Sequence, residues 1–380
     1  MTTITAQIPL EYSPDQQDSD HRKEQIPPTA FHIIGAGSQA IVVAGVFRKD
    51  GERGKGEKVA MKRYDIVSLT TQTHSTFTHT QLLQEIQNTQ YLIHPNIVTM
   101  MNLFYEEGLN RSHKFVWIIT ERMDQTLDVY FEHLQKGNQL RGHQNVSALF
   151  VQMFRALDFL YQRGVMHRLV TPKYIGMKNE RFVIKLLDLE GCGQINAQLD
   201  HTRFVPTPRI YQPLEVILER KYDCGVDIWA MGLVGMEMLG CKLMKPPLVD
   251  GPPTELVKQR ILDVIGLPNT KYQDIFQNCL SLERPRPGRL EAEIDTALDR
   301  MESDRNSSLT KANLKDLLLK LLDVNPQSRP RAYECLEHPY LLKINQILEP
   351  KPVPTEDIQN SNARDEGILK QMLLNFSRLV

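Results

Sequence analysis

The chain has 380 residues, enough for one large domain or two to three ordinary ones, and its 41% apolar and 24% charged content is that of a globular protein. Forty-five Lys plus Arg against 46 Asp plus Glu leave a formal net charge of -1, which argues against a general nucleic-acid binder or an electrostatic membrane anchor. The cysteines (Cys192, Cys224, Cys241, Cys279, Cys335) are odd in number and scattered without a CxxC pair, which speaks against a disulfide framework or zinc site and for a reducing compartment. The first 30 residues lack a basic start followed by an apolar run, and no window approaches the roughly 18 apolar residues of a membrane span, so a cytoplasmic or nuclear location is expected.

Residues 1–29 are rich in Gln, Asp, Thr and Pro without sustained periodicity and read as a disordered lead-in. Structure is expected from Phe31: a strand, the Gly-rich turn Gly35-Ala-Gly37-Ser-Gln-Ala40-Ile-Val42, a second strand through Phe47, a charged hairpin loop and a third strand at Val59-Ala60-Met-Lys62. From about Thr80, Leu82, Leu83, Ile86, Tyr91 and Leu92 recur at roughly helical spacing until His94-Pro-Asn stops the pattern. Ile97–Tyr105 and Lys114–Met123 read as two further strands, completing a small, mainly-β lobe.

Beyond Asp124 helices dominate. Ser147 reads as the N-cap of an amphipathic helix to Tyr161, with Leu149, Met153, Leu157 and Leu160 on one face. Arg181–Leu189 reads as a strand and Asp227–Met238 as a buried apolar helix, with further helices at Glu255–Ile265, Lys311–Leu322 and Ala332–Leu336. The tail from about Leu348 is Pro-rich and polar, then carries a helical stripe of Ile368, Met372, Leu373, Phe376 and Leu379 suited to docking back on the domain.

Several stretches carry the chemistry: the Gly-rich turn, Val59-Ala-Met-Lys62, Glu85 ahead of His94-Pro-Asn-Ile-Val98, and Val165-Met-His167-Arg168-Leu169-Val-Thr171-Pro-Lys-Tyr174-Ile175. They continue with Lys185-Leu-Leu-Asp188-Leu-Glu190-Gly191, Tyr211-Gln-Pro-Leu-Glu215, Asp227-Ile-Trp-Ala-Met-Gly232 and Asn325-Pro-Gln-Ser-Arg329-Pro. Taken singly, each is an ordinary turn, edge lysine, core helix or loop. In this order and spacing, over residues 31 to 345, they resemble a protein kinase. Leu317–Leu341 and Gly266-Leu-Pro resemble the group of cyclin-dependent and mitogen-activated kinases. Gln72-Thr-His74, Met123-Asp124 and the returning C-terminal helix resemble the mitogen-activated kinases, with the stress-activated, c-Jun N-terminal kinase-like branch the nearest.

The resemblance implies an α+β, bilobal kinase fold. Its parts would be a disordered segment at 1–29, a mainly-β N-lobe at 30–123, a larger helical C-lobe at 124–345 and a C-terminal extension at 346–380. It places ATP against Gly35, Gly37, Val42, Ala60, Lys62, Glu85, Glu121, Met123 and Asp188, with Lys62 paired to Glu85 and Asp188 available to a Mg ion. It also implies signalling proteins, kinases or their substrates, as partners, with neither nucleic acid nor membrane among them.

The departures fall on the chemistry. Leu169 stands at the catalytic Asp position and Tyr174 at the metal-binding Asn position, so no catalytic residue of that loop is intact. Thr171 replaces the loop lysine, Ala40 the third glycine and Glu190 the glycine after Asp188 and Leu189. Aligned back from Glu215, the family's Thr-x-Tyr phosphorylation site falls on Arg203-Phe204-Val205, the arginine before that motif is Gln212, and the acidic docking patch is reduced to Gln346 and Glu349. The expectation is a pseudokinase that works as scaffold or allosteric regulator; the alternative is a low-activity ATP-dependent Ser/Thr kinase.

Overall fold

The computed structural model describes residues 33–36, 40–47, 56–65, 79–107, 114–137, 142–195, 206–244, 254–267, 286–301 and 307–348. The lead-in, Gly37, Gln72–His74, Arg203–Val205, Glu349 and the stripe ending at Leu379 lie outside these residues. The chain divides into two compact units, the smaller holding the described residues up to Tyr91 and Val98–Met123, the larger Leu92–Ile97 and those from Asp124 on. The expected α+β division holds: the smaller unit is built on a sheet, the larger on helices.

In the smaller unit, β1 (Ile33–Ala36), β2 (Ala40–Phe47), β3 (Glu57–Asp65), β4 (Met100–Glu107) and β5 (Lys114–Glu121) form one antiparallel sheet in the order β1-β2-β3-β5-β4. Cross-strand register sets three rows on one face: Ala40–Tyr64–Val116, Val42–Lys62–Ile118 and Ala44–Ala60–Thr120. Helix α1 (His79–Tyr91) covers part of this face, burying Leu82 and Ile86 with Tyr64, Leu103, Val116 and Ile118. Val43, Val59, Met61, Trp117 and Ile119 form a separate apolar cluster on the other face. The fourth strand starts at Met100 rather than Ile97, because Ile97 pairs with Leu186 in the larger unit and its amide donates to the His94 carbonyl at 3.0 Å.

The larger unit packs its helices around one continuous apolar core. Helix α2 (Leu127–Lys136) was not evident from the sequence, although Leu127, Phe131 and Leu134 follow a helical stripe; Val129 and Tyr130 on the other side blur it. Helix α3 (His143–Gln162) begins four residues before the expected cap. Ser147 is a buried second-turn residue whose hydroxyl donates back to the His143 carbonyl at 2.8 Å, and Gly142 takes the N-cap position. The expected strand at 181–189 shortens to Val183–Leu186, since Phe182 adopts a left-handed backbone with φ of 48° that ends the ladder. Short helices α4 (Leu214–Ile217) and the buried α5 (Gly225–Met238) follow. A Cβ on Gly235 would sit 2.4 Å from Phe150 Cζ, so the close approach of α3 and α5 depends on that glycine.

Three buried polar anchors fix the loops. The Arg329 guanidinium grips Glu215 with both terminal nitrogens, at 2.6 and 2.9 Å, and donates to the Asp323 carbonyl at 2.8 Å and the Gly225 carbonyl at 3.1 Å. Asn96 donates to Gln152 Oε1 at 3.0 Å and to the Ile184 carbonyl at 2.8 Å, tying the Pro-Asn turn to α3 and the 183–186 strand. Asp227, at the start of α5, accepts the backbone amides of His167 and Arg168, each at 2.8 Å. Burial pushes its carboxyl up to about 6 against the pull of those amides, and burial holds the His167 imidazole down to about 4.

Two outcomes follow from these anchors. Arg329→Met, which leaves Glu215 buried without its fork, should lower unfolding stability by roughly 3–5 kcal/mol in urea titrations; a loss under about 1 kcal/mol would show that Glu215 finds other donors. His167 stays neutral when folded but titrates near 6.5 when unfolded, so its contribution is fully present above that pH and is lost as pH falls toward 4, about 3 kcal/mol in all. Asp227, raised to about 6, works in the opposite sense over the same range, so the comparison needs a variant. The stability gap between wild type and His167→Asn should narrow as pH drops from 7 to 4.5; a constant gap would rule the imidazole out.

Candidate functional site

In the smaller unit, alternation along β3 puts Ala60, Lys62 and Tyr64 on one face, with Val42 and Ile118 beside Lys62. Lys62 Nζ lies 3.0 Å from Glu85 Oε1, the strand lysine reaching the second-turn glutamate of α1. Glu85 is 3% exposed, so its charge sits where water cannot screen it and the ammonium is a needed counter-ion. The hydroxyl of Tyr64 donates to Glu85 Oε2, and Thr89 Oγ1 donates to the Glu85 carbonyl at 2.7 Å. Tyr64 did not emerge from the sequence, although a residue two places beyond Lys62 on a strand must share its face.

The other small-unit residues are spread along the sheet. Gly35 on β1 pairs with Val42, and half-buried Ala60 stands between Ala44 and Thr120. Glu121 closes β5 with its carboxylate accepting the Thr99 amide at 3.1 Å, which commits it to holding the strand pair together. Met123, half-buried, ends the unit. Val42, Ala60 and Met123 offer apolar surface of the kind an adenine ring needs, and Lys62 offers the cation that phosphates need.

In the larger unit the His167–Tyr174 loop is held from several sides. His167 is fully buried, its Nε2 3.2 Å from the Leu187 carbonyl. Arg168 has a left-handed backbone, φ 59°, and sends its side chain across to the Gly191 carbonyl at 2.9 Å and to Tyr222 Oη at 3.2 Å. Its carbonyl accepts from Thr207 Oγ1, and Gln212 donates to the Thr207 carbonyl at 2.8 Å, linking the loop to the segment before Glu215. Thr171 is buried, and the backbone of Tyr174 bridges the Thr171 carbonyl and the Leu187 amide, each at 2.9 Å.

Leu169 is only 6% exposed. Its surroundings are read from Gly191, where an added Cβ would lie 3.2 Å from Leu169 Cβ and 3.1 Å from Pro206 Cγ. Leu169 is therefore largely withdrawn from water, and its side chain can neither accept a proton nor bind a metal.

Asp188 also has a left-handed backbone, φ 58°, and its carboxylate accepts the Glu190 amide at 3.3 Å, capping its own turn. Leu189 is buried beneath it while Asp188 and Glu190 stay partly exposed. Asp188 thus offers a hard oxygen to a Mg ion, whereas a neutral phenol at Tyr174 is a poor ligand for one. The residues fit a nucleotide's phosphates through Lys62 better than they fit its metal.

The protein kinase domain family matches residues 29–341. Mitogen-activated protein kinase 15 of Xenopus laevis is 28% identical over 365 residues, an alignment covering 90% of this chain but 56% of the frog protein. Mitogen-activated protein kinase HOG1A of Wallemia ichthyophaga is 27% identical, covering 90% of this chain and 86% of that protein. Stress-activated protein kinase jnk-1 of Caenorhabditis elegans is 25% identical, covering 90% and 72%. Similarity is spread over several branches of these kinases. The chain belongs to the protein kinase domain family, and its relatives are mitogen-activated protein kinases.

Proposed function

We propose that this chain is a pseudokinase of the mitogen-activated type, without meaningful phosphotransfer, which serves intracellular signalling by binding: a scaffold or allosteric regulator for kinases or their substrates. The observation that carries this reading is Leu169, buried against Gly191 in the catalytic loop while the Asp227, Glu215 and Arg329 anchors around it are in place. A protein that keeps the frame and fills the reaction centre with an apolar side chain retains a recognition surface without its chemistry. Phosphoryl transfer relies almost wholly on positioning and electrostatics, so losing the proton acceptor, a metal ligand and the loop lysine together costs several orders of magnitude in rate.

ATP remains a candidate ligand. Lys62, fixed by Glu85, would meet its phosphates, Gly35 and Gly37 would allow close backbone approach, Val42, Ala60, Glu121 and Met123 would line the base, and Asp188 would offer a carboxylate to Mg. When bound, the metal would neutralise phosphate charge. The intact Lys62–Glu85 pair at 3.0 Å and the partly exposed Asp188 favour the second reading, a slow Ser/Thr kinase. The kinase-like region at 30–345 acts in the cytoplasm or nucleus on either reading.

Radiolabelled ATP turnover by the purified chain separates the two. No incorporation above background is expected; turnover that Lys62→Ala and Asp188→Ala both abolish would establish the slow kinase instead. A thermal shift with millimolar ATP, with and without Mg, reads the ligand separately: a shift that does not need Mg is expected if Lys62 holds the phosphates.

A further inference from the structure

We propose that Tyr64 is a positioning residue that fixes the Lys62–Glu85 pair without help from a bound nucleotide. The contacts lie within the smaller unit. Lys62 and Tyr64 are two residues apart on β3 and share the face that α1 covers. Lys62 Nζ holds Glu85 Oε1 at 3.0 Å while the Tyr64 hydroxyl donates to Oε2, so each carboxylate oxygen has its own donor. The Lys62 ammonium also lies 5.2 Å from the centre of the Tyr64 ring, which means that one side chain touches both members of the pair.

The two donors differ in character. Lys62 is 17% exposed, at the end of a flexible four-carbon stem, with a compact, strongly hydrated charge that can re-aim toward a phosphate. Tyr64 is fully buried and has only two side-chain torsions, so its hydroxyl is held in one place by packing. Its strand neighbours make the room: Ala40 on β2 and Val116 on β5 stand directly beside it. Ala40 is also the third position of the Gly-rich turn, so the departure there leaves a short side chain next to the phenol.

A buried phenol donating to a carboxylate forms a charge-assisted bond with little competition from water. If Lys62 turns to a phosphate, Glu85 keeps that bond, and α1 stays against the sheet. The placement of α1 is then a property of the folded chain, set before any nucleotide arrives. This inference stands independently of whether the chain transfers phosphate.

Amide hydrogen exchange on the full chain without nucleotide tests it. Tyr64→Phe keeps the ring and removes only the hydroxyl; exchange of the Leu82–Tyr91 amides should rise roughly ten- to a hundredfold, the range for a lost hydrogen bond to a charged group. Amides of α5 should stay at wild-type rates, showing that the larger unit is intact. Lys62→Met, which leaves the buried carboxylate its phenol donor, should raise exchange in α1 by less than Tyr64→Phe does. In a Glu85→Gln background, where the acceptor is neutral, removing the hydroxyl should have a much smaller effect. The proposal is overturned if Tyr64→Phe leaves α1 at wild-type rates, if Lys62→Met loosens it as much as Tyr64→Phe does, or if the hydroxyl matters equally with Gln at position 85.

Discussion

The larger unit depends on one buried carboxylate. Asp227 leaves water to accept the amides of two successive residues, His167 and Arg168, and thereby holds a loop whose backbone turns left-handed at Arg168. An isolated loop would not keep that conformation, since a non-glycine residue with positive φ costs of the order of 1 kcal/mol or more. Charge-assisted bonds to both amides offset that cost and the desolvation of the carboxylate. With the backbone fixed at 167 and 168, the side chains beyond are fixed as well: the imidazole on the Leu187 carbonyl, the guanidinium on the Gly191 carbonyl and Leu169 beside Gly191.

The frame therefore separates from the chemistry. Asp227 and the Arg168 guanidinium hold the loop through backbone amides, backbone carbonyls and one hydroxyl. Arg168 illustrates the division. Its guanidinium is spent on the Gly191 and Cys192 carbonyls and the Tyr222 hydroxyl, and an added Cβ at Gly193 would come within 2.6 Å of its Cζ. It ties the stretch after Asp188 to the catalytic loop by neutral acceptors.

Much of this was legible in the residues. The Asp227, Glu215 and Arg329 motifs carried the family because their spacing is set by contacts made across more than a hundred residues of chain, as the Glu215–Arg329 pair shows. Strand positions were readable from β-branched runs and alternation. What escaped was information the local pattern does not contain. Ser147 looks like a cap from its flanking residues, yet the helix extends back to His143 because the serine hydroxyl can return its bond to a carbonyl one turn earlier. Ile97 looks like the start of a strand, yet Asn96 beside it is claimed by Gln152 and Ile184 in the larger unit. Tyr64 was missed because its role rests on a helix residue 21 positions away, which no period of the strand encodes.

The burial of Leu169 has a consequence for how such a chain can change over generations. An aspartate placed there alone would carry its charge at a position only 6% exposed, so desolvation would work against its ionised form. Leucine at the same place suits its surroundings as they stand.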